Sequence, residues 1–457
     1  MKNTRKKYAV LAVLMAASML ASGCGKDGGN AEETSISVNV IGGDSADAGE
    51  SMETAVVTDA NGEAVTGFDG NVLTEVVTEP GAAETAPTET LSEEDILAAM
   101  TTTEQAEKPS VNVSQNAGVR YAYETLTDRE KELYDMIYQG VCDLRYKICA
   151  EDAYTLEEWV KVYGLVYNQE PELFYMGSKI KVGKLFYLTK DSETINQMQK
   201  DIDAVADKLV TEANGKSSTF EKLKVFHDFL VLNSSFELIE GDDFDYNASI
   251  YNAFGSGEPQ GNIQCAGYAK AMQYLCDKAG ISCMVVTGET AEGQTHAWNV
   301  VDVDGVWYNL DATWDDPLLS TPNYAQLRYN YFLVPDKFMH DITHFHVSQK
   351  KMSNGDYVTY FEPPACTETA ENYFVKSGIV YSDFDAAEAA IKAEIESAAK
   401  DGSRTAQIMV ASKELYDQIY ANRLEYNKFA KTFDGVKGVN DECSEVMLLL
   451  EFDVIYN

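Results

Sequence analysis

The chain is short of positive charge, of histidine and of long apolar runs, and each shortage narrows what it can do. Against 74 Asp and Glu there are 36 Lys and Arg, a net charge of -38. So acidic a chain repels phosphate backbones and anionic headgroups, which argues against nucleic acid and against direct attraction to anionic lipid surfaces. Only five histidines occur in 457 residues, so each candidate base or ligand can be weighed singly. Eight cysteines are scattered without a close Cys-x-x-Cys pair. A zinc centre or a dense disulfide scaffold is therefore not expected, although one or two bridges stay open outside the cell. Beyond the first 25 residues no apolar run approaches spanning length, so nothing else should cross a membrane.

The stretch 24–115 lacks nearly everything a core needs. From 25 onward Phe68 is its only aromatic and Lys26 and Lys108 its only cations, while Ala, Gly, Thr, Ser, Glu and Asp dominate. Such a segment cannot bury enough apolar surface to offset its chain entropy. It reads as a disordered acidic tether, extended by self-repulsion; the β-like patches at 35–40 and 72–77 are too short to found a domain. Ahead of it, Lys2, Arg5, Lys6 and Lys7 precede an apolar run and small residues ending at Cys24. That order reads as a secretory signal over 1–23. Leu20-Ala21-Ser22-Gly23-Cys24 resembles a bacterial lipobox, with Ala21 where leucine is commonest. The resemblance implies a diacylated Cys24, worth about 0.8 kcal/mol per buried methylene in the bilayer. The protein is thus expected at the outer face of a bacterial cytoplasmic membrane, lipid-anchored and extracytoplasmic.

Folded sequence begins near Val119. Capping boxes at Thr127–Glu130 and Thr155–Glu158 open amphipathic helices, and a long helix follows over 192–211. Two short runs, 173–175 and 184–188, read as strands. These make a mainly helical subdomain over 116–216. Ser218 caps a further helix that carries His227, read as a packed or surface histidine.

Chemistry concentrates between Gly261 and Asp316. Cys265 heads a helix closed by Gly280, with Ala269, Met272, Cys276 and Ala279 on the same stripe. A thiol in a first turn meets unpaired N–H groups and the positive end of the macrodipole, which favour the thiolate. Downstream, β-rich runs flank Asp304-Gly305, a tight-hairpin signal. With Val303 opposite Val306, Trp298 falls opposite Asp311, and His296 and Asp311 become diagonal neighbours about 7–8 Å apart on one face. The set is a nucleophile, a base and a group that orients the base.

Cys265-Ala266-Gly267-Tyr268-Ala269, the Gly280-Ile281 step, His296-Ala297-Trp298-Asn299 and Trp307 through Asp315, in this order and spacing, resemble the core of the transglutaminase-like domain of the papain-like thiol superfamily. The likeness runs from near Phe220 to His346, about a quarter of the chain. It implies an α+β fold: a helix carrying the cysteine packed on an antiparallel sheet carrying the histidine and aspartate, over 217–350. It also implies an acyl-thioester mechanism on protein or peptide amide bonds with Cys265, His296 and Asp311 as triad and no cofactor. The family includes cross-linking enzymes, peptidases, deamidases and inactive members. The Cys265 N–H is the natural first oxyanion donor, and Gln260 and Gln264 are candidates for the second. Trp298 and Tyr268 are candidates for a cleft wall. Cell-wall peptide is a candidate substrate because the tether would end in the wall layer. The competing reading is a surface binding or assembly module that keeps the fold without turnover.

His340, His344 and His346 cluster, yet only His340 and His344 have helical ligand spacing and the motif requires no ion, so no metal is expected. The tail, 359–457, alternates β and α signals and reads as a small α+β module. Its expected elements are a hairpin over 373–381, helices over 385–399 and 413–429, and strands over 406–410 and 446–452.

Overall fold

The computed structural model describes residues 117–237, 244–254, 261–290, 293–316, 327–339, 348–352, 355–402 and 405–456, and two short strands at 53–56 and 74–77. Those strands, Glu53–Val56 (β1) and Thr74–Val77 (β2), pair antiparallel inside the stretch read as a tether. Cys24, Gln260, His340, His344, His346 and the patch at 35–40 lie outside the described residues.

Local sequence explains the helices that follow. Ala117–Glu124 (α1) precedes Asp128–Cys142 (α2) and Leu156–Gln169 (α3), and both of the latter open with complete capping boxes, from Thr127 with Glu130 and Thr155 with Glu158. Ser192–Asn214 (α4) is capped by Asp191, and Thr219–Asn233 (α5) by Ser218. Between α3 and α4 the expected strands 173–175 and 184–188 are instead a 3-10 turn, Pro171–Leu173, followed by isolated antiparallel bridges, among them Met176 to Tyr187 and Lys181 to Lys184. Pro171 sits at the first position of that turn, where its missing N–H costs nothing.

Next come Ser234–Phe236 (β3), Phe244–Asn247 (α6), Ile250–Phe254 (α7) and Gly261–Ile263 (β4), with β3 and β4 parallel. They deliver the chain to Cys265–Ala279 (α8), which ends on Gly280 in the left-handed region at φ 72°. Gly267 in its first turn has a steric reason: a Cβ there would lie 2.6 Å from the Asn247 carbonyl oxygen. The helix therefore approaches the α6 backbone closely, and only glycine permits it.

Cys283–Glu289 (β5), Thr295–Val303 (β6), Val306–Leu310 (β7) and Phe332–Val334 (β8) form an antiparallel meander in that order. The β6–β7 turn is Asp304-Gly305, both at positive φ, and Val303 faces Val306 as counted from the sequence. Here α8 packs on β5 and β6, and α4, α5 and α7 pack on α8. The helices before α4 share this core: Trp159, Tyr163, Phe226, Met272 and Trp298 belong to one continuous apolar cluster. The α3 residue Gln169 donates to the Val285 carbonyl at 2.6 Å, and Gln273 of α8 donates to the Gln169 carbonyl at 2.7 Å.

Asp336–Met339 (α9) and a ribbon of Ser348–Lys351 (β9) with Tyr357–Phe361 (β10) complete this body. The expected hairpin over 373–381 is not formed. Tyr373–Lys376 (α10) is a helical turn capped by Asn372, with Phe374 buried, and Val380–Tyr381 (β11) runs parallel to Thr405–Val410 (β12). Burial of Phe374 and the Asn372 cap overrule the β propensity of the triplet. Phe384–Asp401 (α11) agrees with expectation. The second expected helix is broken at Asn422 into Lys413–Ala421 (α12) and Arg423–Ala430 (α13). The last strand lies later than expected, Leu449–Tyr456 (β14), beside Val436–Asp441 (β13), which the sequence reading missed. The sheet order is β11-β12-β14-β13, with its own apolar core.

One arginine joins the two bodies. Arg328, just before β8, meets Glu442 at 3.1 Å, Glu451 at 3.0 Å and Asp453 at 2.6 Å. These three carboxylates also come close enough together to suit a cation, but the guanidinium occupies their centre. Burial pushes the Glu451 carboxyl up to about 7 although Arg328 pulls it down. Arg328→Met is expected to cost about 3–5 kcal/mol, since it strands a buried carboxylate. Because a raised native pKa favours the protonated fold, that loss should deepen as pH rises through 7. Denaturant midpoints of both proteins at pH 5.5 and 8 check it.

Candidate active site

The sulfur, the imidazole and the carboxylate come from three elements whose ends converge. Cys265 is the first residue of α8 and is half-buried, packed with Ala266 against Ala269, Val285 and Ala297. Gln264 stands at the N-cap without a side-chain hydrogen bond to the helix. The first N–H groups of α8, those of Cys265 and Ala266, have no acceptor within the helix and carry its positive dipole end.

His296 is the second residue of β6 and is 4% exposed. Its Nε2 lies 2.6 Å from Asp311 Oδ2, a charge-assisted distance. The other carboxylate oxygen, Oδ1, accepts the Thr313 N–H at 3.0 Å and the Trp314 N–H at 3.1 Å. Asp311 is thus clamped by its own turn with one oxygen left for the ring. With Nε2 engaged by Asp311, Nδ1 is the ring nitrogen left for another partner, and Cys265 lies near enough to the ring to help raise its pKa. Burial pushes the imidazole down, but the Asp311 carboxylate, and then Cys265, raise it to about 10.

The rest of the His296–Asn299 run builds the frame. Ala297 packs beneath the cysteine, and Asn299 donates to the Ala269 carbonyl of α8 at 2.9 Å, fixing strand to helix. Trp298 stacks on the His296 ring, centroids 5.9 Å apart and 15° between planes, and its indole N–H donates to Asn309 Oδ1 at 3.0 Å.

The expected cleft wall is corrected by burial. Trp298 and Tyr268 are each 1% exposed, so both lie behind the site and neither can face a substrate. The accessible ring beside His296 is Trp314, 39% exposed and edge-on to the imidazole at 6.2 Å. Its place three residues after Asp311, in a turn rather than a strand, was the signal available. Gln264 is buried at the helix start, and its carbonyl accepts the Gly267 and Tyr268 N–H groups. Also missed were the partners of the carboxylates that follow Asp311. Asp315 holds His227, and Asp316 holds Tyr268.

The arrangement can hold an imidazolium beside a sulfur at a helix tip, which is the equipment for nucleophilic attack on a carbonyl. Asp311→Asn should remove the main group that opposes burial and drop the His296 pKa well below its wild-type position. The imidazolium's stabilisation, present below the ordinary histidine range and lost as pH rises through about 10, would then vanish at neutral pH. Titration of labelled histidine by NMR reads this directly.

Residues 204–312 match the family model described as the transglutaminase-like superfamily. The kyphoscoliosis peptidase of Homo sapiens is 36% identical over 92 residues, which is 17% of this chain and 14% of that protein. Its Mus musculus counterpart is 35% identical over 92 residues, with the same shares. The match therefore spans about a seventh of the length of these curated relatives. Among solved structures, one described as a TGase aligns over 32% of this chain and 38% of its own, at 19% identity and a TM-score of 0.24. The stretch from late α4 to the turn after β7, with its cysteine helix on an antiparallel sheet, is a transglutaminase-like domain of α+β architecture.

Proposed function

We propose that this protein is a cysteine-dependent enzyme acting on amide bonds of proteins or peptides through an acyl-thioester on Cys265. The observation that carries the reading is a buried His296 held by Asp311 at 2.6 Å through Nε2, with Cys265 at the head of α8 near enough to raise the ring's pKa. The Cys265 thiolate attacks the amide carbonyl carbon, and the oxyanion forms where the first N–H groups of α8 point. As the C–N bond breaks, the His296 imidazolium gives its proton to the departing nitrogen. An amine or water then attacks the thioester, His296 takes its proton, and the C–S bond breaks to return thiolate. Hydrolysis and transfer differ only in that second nucleophile.

Incubation with a glutamine peptide and a labelled primary amine separates them: incorporated label means transfer, and ammonia release without label means hydrolysis. Cys265→Ala should abolish either, and His296→Ala should lower it by about a thousandfold. If Cys265 is alkylated no faster than an ordinary thiol and His296→Ala changes nothing, the enzyme reading fails. Capture of a wall peptide or protein by Cys265→Ala protein would then point to a binding module.

We further propose that the enzyme works outside the cell, tethered through acylated Cys24 and the acidic segment behind it. Supporting this are the basic and apolar start of the chain and the small residues before Cys24. Cys24→Ser should move the protein from the detergent phase to the aqueous phase on phase partition; unaltered partition would remove the anchor.

A further inference from the structure

The turn after β7 carries three carboxylates within six residues, and each binds a ring on a different element. Asp311 holds His296 of β6. Asp315 Oδ2 lies 3.0 Å from His227 Nε2 of α5, and its Oδ1 accepts the Tyr331 N–H at 3.0 Å. Asp316 accepts the phenol hydroxyl of Tyr268, three residues along α8 from Cys265. His227 and Asp315 have no exposed side-chain surface. Their opposite faces are closed as well. Tyr329 stacks on His227 at 5.2 Å and donates to Asp228 Oδ1 at 2.9 Å, while His227 Nδ1 lies 3.4 Å from the same oxygen.

Stability alone does not call for this. A buried ionisable pair is commonly matched or bettered by apolar residues of the same volume, so His227 with Asp315 is a costly way to fill a core. What the pair and the phenol supply is direction: they fix where the 311–316 turn sits between α5 and α8. We propose that His227–Asp315 and Tyr268–Asp316 are positioning pairs of the thiol site, pegging the Asp311 turn to α5 and to α8, the helix that carries Cys265. The His296 ring is thereby held in register with the sulfur. None of the four residues touches substrate; they act through Asp311 and α8. The inference rests on the acyl-thioester reading, and it deepens that reading by naming what sets the sulfur-to-ring geometry.

Tyr268→Phe removes one hydroxyl, and His227→Leu removes one peg while keeping an apolar filling. The probe is iodoacetamide alkylation of Cys265 in full-length protein, read across pH, beside thermal midpoints and the His296 NMR titration. Tyr268→Phe is expected to fold as wild type, and His227→Leu, which strands the buried Asp315, to fold with a lower thermal midpoint. Alkylation at pH 7 should fall about 10- to 100-fold, as displacement of about 1 Å does elsewhere, and the His296 titration should move to lower pH. His227→Gln, which keeps a donor toward Asp315, should recover most of the rate. A merely structural role would lower the thermal midpoint but leave the alkylation pH profile of the folded protein unchanged. Folded Tyr268→Phe and His227→Leu proteins with wild-type rate and profile would overturn the proposal. Should either not fold, Asp316→Asn and Asp315→Asn are read in the same way. Alkylation needs no substrate, so the two ideas fail separately. Wild-type alkylation indifferent to His296→Ala removes the thiol reading, whereas His296-dependent alkylation indifferent to the pegs removes only their role.

Discussion

Everything around the site answers to one contact, the 2.6 Å bond between a buried imidazole and a buried carboxylate. Taken out of water, a histidine loses its charge unless something nearby repays the desolvation. Asp311 does so because its remaining lone pairs are already satisfied by Thr313 and Trp314 N–H groups, so its charge is held in place and aimed. A carboxylate free to rotate would stabilise the ring less and orient it less. The turn that supplies those N–H groups is therefore as much a part of the chemistry as the side chains it presents.

Much of this was legible in the chain because two local rules propagate. Asp304-Gly305 demands a tight turn, and once Val303 faces Val306 the alternation of a strand places His296 and Asp311 on one face. Gly280 likewise closes α8 and fixes Cys265 at its head. What stayed hidden depends on contacts between segments far apart in sequence. Nothing local to His227 reveals that Asp315 will meet it 88 residues later. Nothing in 373–375 reveals that Phe374 will be buried in a helical turn. The role given to Trp298 and Tyr268 missed for the same reason. Aromatic residues next to reactive ones can stand in front of a site or behind it, and only packing distinguishes the two.

The transglutaminase-like domain is also not a free-standing unit here. Helices α1 to α3 add Leu133, Trp159 and Tyr163 to the same cluster that buries Phe226 and Met272. Gln169 and Gln273 together bind the backbone of Val285, which packs with Ala269 and Ala297 behind Cys265. The N-terminal helices thus support β5 and α8 from behind, and the sheet edge beyond β5 is covered by β9 through Thr287 and Ser348.

The segment 328–331 alternates between two allegiances. Arg328 and Asn330 bind carboxylates of β14 and its neighbours, while Tyr329 covers His227 and the Tyr331 N–H binds Asp315. A boundary that looks clean along the chain is therefore sewn shut in space. The C-terminal module cannot be trimmed away without taking Glu442, Glu451 and Asp453 from the Arg328 guanidinium, one residue from the packing around the 311–316 turn. Excision or grafting of the thiol domain has to carry β12 and β14 with it, and the two cores should melt as one cooperative unit.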